Sequence, residues 1–186
     1  MFEDLSPTLE GRFLVLEPLG PQHEEGLRAA AADERTWTWM WTDDVDAWIA
    51  DVLRPNEDRR PFAVLRDGEV VGSTSYLSLW PEHRRLEIGN TWLHPSAWGT
   101  GANTEAKYLL LKHAFEVAGC YRVEFKTDAL NDRARAALAA IPSEFEGIHR
   151  RHMIVRDGER RDSAWYAVIL DDWPEVRRAL EERLRG

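Results

Sequence analysis

The residues with the clearest chemical potential lie in a loop with two glycines, Trp98-Gly-Thr-Gly-Ala-Asn103, between a predicted strand and a predicted long helix. A loop that enters a helix presents backbone N–H groups that have no partner inside the helix, at the positive end of the helix dipole. Gly99 and Gly101 leave these amides accessible, because a side chain there would stand between them and a ligand. The loop is therefore predicted to bind a diphosphate group.

The Gly-x-Gly pattern alone is weak evidence for a diphosphate site, because a flexible turn can have the same sequence. The loop lacks the third glycine of a dinucleotide-binding fold, and no Gly-Lys-Ser or Gly-Lys-Thr is present. Neither a Rossmann fold nor a P-loop therefore fits. The interpretation of the loop depends on the elements around it.

Three elements must position this loop. Residues 86–93 and 121–127 are predicted as strands, and Ala102 to Ala118 as a helix that Gly119 ends. The apolar face of that helix is expected to contain Ala106, Leu109, Leu110, Ala114 and Val117. The long helix would thus begin at the glycine loop and pack its apolar face on a sheet.

The rest of the chain predicts further strands and helices. Asp67-Gly68 indicates a tight antiparallel hairpin, and Arg156-Asp-Gly-Glu159 a second one in a mainly β region at 148–170. We also predict a strand at 12–17 and helices at 21–32, 45–52, 131–141 and from about 172 onwards. No repeat or long linker interrupts the pattern. The expected fold is α/β (α+β), with one mixed sheet and helices against it in a single domain, 1–186.

The composition of the chain disfavours some classes of function. The 186 residues carry a formal charge of −9 and are 44% hydrophobic. A net negative charge disfavours nucleic acid and would suit a cationic acceptor, and no apolar run is long enough to cross a membrane. The first seven residues lack a basic leader, so we expect a cytoplasmic protein. The single cysteine, Cys120, is expected to be a small buried residue.

Five ordered segments carry a resemblance to a known family. They are Leu86-Glu-Ile-Gly-Asn-Thr-Trp-Leu-His-Pro95, Trp98 to Lys107, Arg122 to Asp128, Asn131-Asp-Arg-Ala-Arg135, and Glu146-Gly147 with Arg161-Asp-Ser163. With these segments the chain resembles the GNAT superfamily of acetyl-CoA-dependent N-acetyltransferases, and in particular its RimJ/RimL branch, whose members resemble ribosomal-protein alanine acetyltransferases. The resemblance covers nearly the whole chain.

The resemblance implies a mixed, mostly antiparallel central sheet whose middle strands splay apart and open a slot for the pantetheine arm of acetyl-CoA. Backbone groups of Trp92, Leu93 and His94 would bind that arm, and an N–H such as that of Leu93 would stabilise the oxyanion formed on the thioester. The loop residues Trp98, Gly99, Thr100, Gly101, Ala102 and Asn103 would bind the diphosphate. Asn131 would contact the cofactor, although an asparagine there also suits an N-cap.

The sequence offers several candidates for the groups that transfer protons. Glu87 is the candidate base for the attacking amine, although it could instead pair with Arg84 or Arg85. Ala134 stands where relatives have a serine that could protonate the leaving thiolate, and alanine has no proton to donate. Tyr166, Tyr121 or a water molecule could serve instead. Pro142 replaces a glycine at the end of this helix and is expected to change how the helix ends, because proline disfavours a left-handed conformation.

The remaining expectations concern the acceptor. Trp37, Trp39, Trp41 and Trp80 could wall a pocket for an amine, or they could belong to the core. The histidines show no metal-binding spacing, so no metal is expected. The resulting hypothesis is an acetyltransferase that acts on a protein N-terminal α-amine or a small amine and could form a homodimer. The alternative is a coenzyme-A-binding sensor or assembly module that transfers nothing.

Overall fold

The computed structural model describes Phe2 and residues 4–186, apart from the side chain of Asp157. Its eight strands form a single sheet in the order β1-β2-β3-β4-β5-β6-β8-β7. All neighbouring pairs are antiparallel except β5 and β6, which are parallel. The strands are β1 (Leu9–Glu10), β2 (Val15–Pro18), β3 (Arg59–Arg66), β4 (Glu69–Trp80), β5 (Arg85–Leu93), β6 (Arg122–Asp128), β7 (Glu144–Ile154) and β8 (Arg160–Ile169).

Five α-helices cover the two faces of the sheet. They are α1 (Glu24–Ala30), α2 (Val45–Val52), α3 (Ala102–Lys112), α4 (Asp132–Ala139) and α5 (Trp173–Arg185). The buried side chains of α3 and α5 belong to the larger core, and those of α1 and α2 to a smaller core on the other face. The predicted mixed, mostly antiparallel sheet flanked by helices is confirmed. No helix in the described part of the chain is long and apolar enough to cross a membrane.

Local sequence signals account for several of these elements. Asp67 and Gly68 have φ values of 52° and 82°, the left-handed pair that a tight hairpin between β3 and β4 requires. The side chain of Asp44 accepts a hydrogen bond from the amide of Ala47 and so caps α2. The Asp-Gly signal therefore predicted the hairpin correctly, and the Asp44 cap sets the start of the helix predicted at 45–52.

A bulge in β5 shapes the centre of the sheet. Ser75 pairs with Gly89 but Ser73 pairs with Trp92, so β5 contains one residue more than β4 over this stretch, and Asn90 has a φ of 49°. The extra residue reverses which side chains face each core. Ile88 lies in the core with α3, whereas Trp92 lies in the core with α1 and α2.

Three expectations about elements were wrong. The strand predicted at 12–17 begins only at Val15, because the preceding backbone amides bind the carboxylate of Glu105 instead of a neighbouring strand. Val117 is 68% exposed, because the long helix ends in a π-helical turn, His113–Val117, that shifts the side chains around the axis. Pro142 has a positive φ of 30°, a value not expected for a proline, and it lies after α4 has ended at Ala139.

Glu105 holds the start of the chain against α3. Its buried carboxylate accepts hydrogen bonds from the backbone amides of Arg12, Phe13 and Leu14 at 2.6, 2.8 and 3.0 Å. A Cβ at Gly11 would lie 2.6 Å from the same carboxylate, which explains the glycine there. One side chain of the long helix thus satisfies three donors that no strand reaches.

Replacing Glu105 with alanine should leave these three amides without their acceptor. We expect the free energy of unfolding to fall by about 2–4 kcal/mol in denaturant titrations, because buried donors without a partner are costly. Glu182→Gln, at an exposed position on α5, is the control and should change stability by less than about 0.5 kcal/mol. Equal stability of the Glu105→Ala protein and the wild type would contradict this role.

Candidate active site

The central feature of the candidate site is a gap in the sheet. The parallel strands β5 and β6 pair only at residues 85–87 with 122–124, and beyond this point the bulged β5 diverges. A cavity of about 690 Å³ opens there, within the range typical of small-molecule sites. It is lined by residues of β5, β6, α3, α4 and the glycine loop. The splayed middle strands expected from the sequence are therefore present.

Leu93 is the residue whose backbone amide faces this gap. The amide of the next residue, His94, donates to the Val71 carbonyl of β4 at 2.8 Å. Because N–H directions alternate along a strand, the Leu93 amide points away from β4 and towards the gap, whereas the Trp92 amide points back to β4. Of the backbone groups expected to bind the pantetheine arm, the His94 amide is therefore already paired with β4, and the Leu93 amide is the one that faces the gap.

The glycine loop joins the gap to the start of α3. Gly99 and Gly101 have φ values of 72° and 86°, and a Cβ on either would meet no protein atom within 4 Å. These glycines are needed for their left-handed backbone, with open space beside them. The Nε1–H of Trp98 donates to the Leu93 carbonyl at 2.9 Å, which fixes the loop against the end of β5.

The other predicted loop residues differ in position. Asn103 lines the cavity, whereas Thr100 and Ala102 do not. Ala102 is buried in the larger core, and the Thr100 hydroxyl donates to the Ala97 carbonyl. Any contact of Thr100 or Ala102 with a ligand must therefore come from the backbone.

Arg133 was not predicted from the sequence. Its guanidinium lies 3.7 Å from the centre of the Trp98 ring, and it lines the cavity beside the glycine loop. This places a positive charge next to the amides at the start of α3. The signal in the sequence was its position two residues after Asn131 on the same helix.

Asn131 serves as the N-cap of α4. Its Oδ1 accepts the amide of Ala134 at 3.0 Å, as expected for a cap. The residue is buried and lines the cavity, so its side-chain NH₂ remains to contact a ligand. The two roles weighed from the sequence are compatible.

Glu87 lines the same cavity, on the face of the sheet opposite to α3. It is only 1% exposed, and its Oε2 accepts a hydrogen bond from Lys126 Nζ at 2.7 Å. The neighbouring Arg85 pairs with Glu124 and not with Glu87. Because the Lys126 bond uses Oε2, Oε1 is the oxygen that could take a substrate proton.

Lys107 is the main site residue that sequence reasoning missed. It projects from α3, is 5% exposed, and donates to Thr91 Oγ1 at 2.8 Å beside the ring of Phe125. Burial lowers the pKa of its ammonium to about 7, with the charge of Glu87 opposing part of the effect. The available signal in the sequence was a lysine next to Ala106 in the first turns of a helix that packs on the sheet.

These features can now be compared with known proteins. The family model that matches the chain is an acetyltransferase (GNAT) domain, and the match covers residues 14–141. The chain belongs to the GNAT acetyltransferase family. Enzymes of this family use acetyl-CoA, so the gap, the loop and the cavity belong to an acetyltransferase.

Solved structures agree with this assignment. A T. thermophilus protein assigned as an acetyltransferase is 37% identical, covers 99% of this chain and 100% of its own, and superposes with a TM-score of 0.89. A GCN5-related N-acetyltransferase from Brucella melitensis is 31% identical over 97% of this chain and 86% of its own, also with a TM-score of 0.89. Mycobacterium smegmatis RimJ, in complex with CoA-disulfide, is 23% identical over 99% of this chain and 96% of its own, with a TM-score of 0.79, and shows the shared fold alone. No curated protein matches the chain.

The four tryptophans of this acetyltransferase that were candidates for the acceptor pocket divide into two groups. Trp39 and Trp41 line the cavity and are about 40% exposed. Trp37 does not line it, because its ring packs against Trp48 and Trp92 in the smaller core and its Nε1–H donates to the Ala31 carbonyl. Trp80 also lies outside the cavity, next to Arg85 and His83. The proposed aromatic wall is therefore reduced to Trp39 and Trp41.

The expected proton donors for the leaving thiolate do not line the cavity either. Tyr166 is buried and its hydroxyl accepts a hydrogen bond from Arg135, and Tyr121 is exposed beside Arg84. Burial raises the pKa of the Cys120 thiol to about 12, in keeping with a structural cysteine. Within the described residues no group of histidine, cysteine and acidic side chains could hold a metal ion.

The lowered pKa of Lys107 predicts a pH dependence of stability. Between pH 7 and 10.5 the unfolded lysine keeps its proton while the buried one loses it, so the unfolded state binds more protons and stability rises with pH. From pH 7 to pH 9 the wild type should gain roughly 2 kcal/mol relative to Lys107→Met. Urea titrations of both proteins at several pH values measure this difference, and the Cys120 contribution cancels. Parallel curves would contradict the assignment.

Proposed function

We propose that this acetyltransferase transfers the acetyl group of acetyl-CoA to an amine by direct attack on the thioester. The observation that carries the proposal is the open end of β5, where the Leu93 amide faces a cavity that also contains Glu87. The acceptor would be the N-terminal α-amine of a protein or peptide, or a small amine. The sequence segments that resemble the RimJ/RimL branch favour the first, and we place the enzyme in that branch. We also propose that it acts in the cytoplasm.

The diphosphate would bind the amides that begin α3 at Thr100, Gly101, Ala102 and Asn103. The left-handed glycines turn these N–H groups towards one point, and the helix dipole favours an anion there. Arg133 would add a charge-assisted contact beside Trp98. The pantetheine arm would lie in the gap against Leu93 and Asn131.

The chemistry needs one base and one acid. Glu87 Oε1 would take the proton that the amine loses as the new C–N bond forms, and the Leu93 amide would stabilise the negative charge on the thioester oxygen. The C–S bond then breaks and the sulfur needs a proton. Lys107, with a pKa of about 7 below the gap, would supply it. This donor would replace the serine that Ala134 removes.

Binding and turnover of acetyl-CoA test the proposal directly. Thiol release from acetyl-CoA should appear with a panel of peptides and small amines, and calorimetry should detect CoA binding. Gly101→Ala should weaken CoA binding about tenfold or more, because the new Cβ disfavours the left-handed φ and enters the phosphate space.

Gly68→Ala is the matched control for that variant. Gly68 has a φ of 82° with open space around it, like Gly101, but it lies in the β3–β4 hairpin away from the cavity. Both variants carry the same backbone strain, and only Gly101→Ala should lose CoA affinity. Tight CoA binding without thiol release from any amine would instead favour the sensor alternative.

Two variants test the proton-transfer roles. Glu87→Gln should lower kcat/KM by about a hundredfold or more at pH 7, with partial recovery as the acceptor amine deprotonates at higher pH. Lys107→Met should lower kcat and leave CoA affinity within a few-fold of the wild type. Initial rates of thiol release as a function of pH measure both effects.

Glu124→Gln provides the control for Glu87. Glu124 is also a buried carboxylate, pairs with Arg85 and Arg122, and faces Glu87 in the β5–β6 register, but it does not line the cavity. It should affect stability and not the rate. Full activity of Glu87→Gln with an unchanged pH profile would show that another group is the base.

A further inference from the structure

Arg161 places a positive charge in the cavity, and its direct contacts are uncharged. Its side chain is half-buried on β8 and lines the cavity. The guanidinium donates to Ser163 Oγ at 3.1–3.2 Å and to Met153 Sδ at 3.3 Å, and both of these acceptors are neutral. No acidic group in the described part of the chain lies within ion-pair distance of it.

The other charges near this arginine already have partners. Lys126 is paired with Glu87, and Arg59, which also lines the cavity, is paired with Asp51. Asp128 and Glu87 attract Arg161 from beyond ion-pair distance, and Asp128 Oδ1 accepts the amide of Leu130. Unlike Lys126 and Arg59, Arg161 therefore has no direct ion pair among the described residues.

The position of Arg161 puts this charge on the acceptor side of the site. Lys126 pairs in register with Trp165, and Asp128 with Ser163, so Arg161, Ser163 and Trp165 point to the same face of the sheet as Lys126. That face is opposite to α3, whose N-terminus would hold the diphosphate. An anion bound to Arg161 would thus belong to the acceptor.

The loop with Trp39 and Trp41 covers the same region. Arg156, between β7 and β8, donates to the carbonyls of Trp37 and Thr38 at 3.3 and 2.7 Å and ties the two segments together. An acceptor that reaches Glu87 can therefore contact Trp41, Met153 and Arg161. These last three side chains and Glu87 all line the same cavity.

We propose that Arg161 binds an anionic oxygen group of the acceptor, so that the preferred substrates are amines that carry a carboxylate or a phosphate near the amino group. A guanidinium offers two parallel N–H donors that match such groups, and an unpaired buried charge is costly until one binds. The proposal rests on the proposed function. It predicts discrimination against polyamines and other purely cationic acceptors.

Matched acceptor pairs that differ by one anionic group test the proposal and identify the source of the anion. Because that group also raises the pKa of the amine, kcat/KM is compared for the neutral amine within each pair. The pairs are methionine with methioninamide for an α-carboxylate, Ala-Asp-Ala amide with Ala-Asn-Ala amide for a side-chain carboxylate, and phosphoethanolamine with ethanolamine for a phosphate. In at least one pair the anionic member should have a kcat/KM at least about tenfold higher in thiol release. Arg161→Gln should remove that preference by lowering the rate for the anionic member alone, and Arg161→Lys should keep part of it.

Arg160→Gln is the control, because Arg160 is the exposed neighbour on the same strand. It should keep the wild-type preference. The absence of any preference in the wild type, or an equal loss for both members of a pair in Arg161→Gln, would overturn the proposal.

Calorimetric titration of the same pairs onto the CoA-bound protein needs no turnover. Tighter binding of an anionic member, lost in Arg161→Gln, would support the anion site even if no acetyl transfer occurred, and would then count against the transferase proposal alone. Equal affinity within every pair would overturn the anion site whatever the activity.

Discussion

The structure depends on one interruption of backbone pairing, the bulge in β5. The extra residue around Asn90 turns the strand away from β6 after three paired residues, which opens the gap and leaves the Leu93 amide without a strand partner. An unpaired amide inside a fold is normally a cost. Here the cost is localised at the point where a ligand carbonyl could satisfy it.

The same bulge assigns the neighbouring side chains to opposite faces. Before the bulge, Glu87 points away from α3. After it, Thr91 points towards α3, and its hydroxyl accepts a hydrogen bond from the Lys107 ammonium. A strand with regular alternation would place residues 87 and 91 on one face. The irregularity thus allows a carboxylate and a lysine to approach one gap from opposite sides.

The sequence predicted the parts of the fold that local signals control. The Asp67-Gly68 turn, the Asn131 cap and the order of elements from β3 to α5 all follow from turn chemistry and periodicity. The positions that failed depend on distant contacts. The start of β2 is set by Glu105, which lies 91 residues later than Leu14, and no local pattern indicates that contact.

Part of the candidate site could also be predicted from the sequence, and part could not. The glycine loop stands out because backbone conformation limits which residues can occupy it. Glu87 was found through the resemblance, whereas Lys107 was missed because a lysine on a helix is usually solvated, and its burial depends on how α3 packs under the gap. The four candidate tryptophans were left open between core and pocket for a related reason, since an aromatic residue fits either equally well until the packing is known.

The two lysines at the gap have different contacts, and these contacts decide how each one tolerates burial. Lys126 lies 2.7 Å from the Glu87 carboxylate, and this partner offsets the cost of burying its charge. Lys107 has a hydroxyl and an aromatic ring as its contacts, so burial lowers the pKa of Lys107 to about 7. At neutral pH the gap can therefore hold an ion-paired carboxylate on one face and a lysine that exchanges a proton on the other. The proposed reaction would use both groups, because the second oxygen of Glu87 can accept the proton of the amine and Lys107 can deliver one to the sulfur.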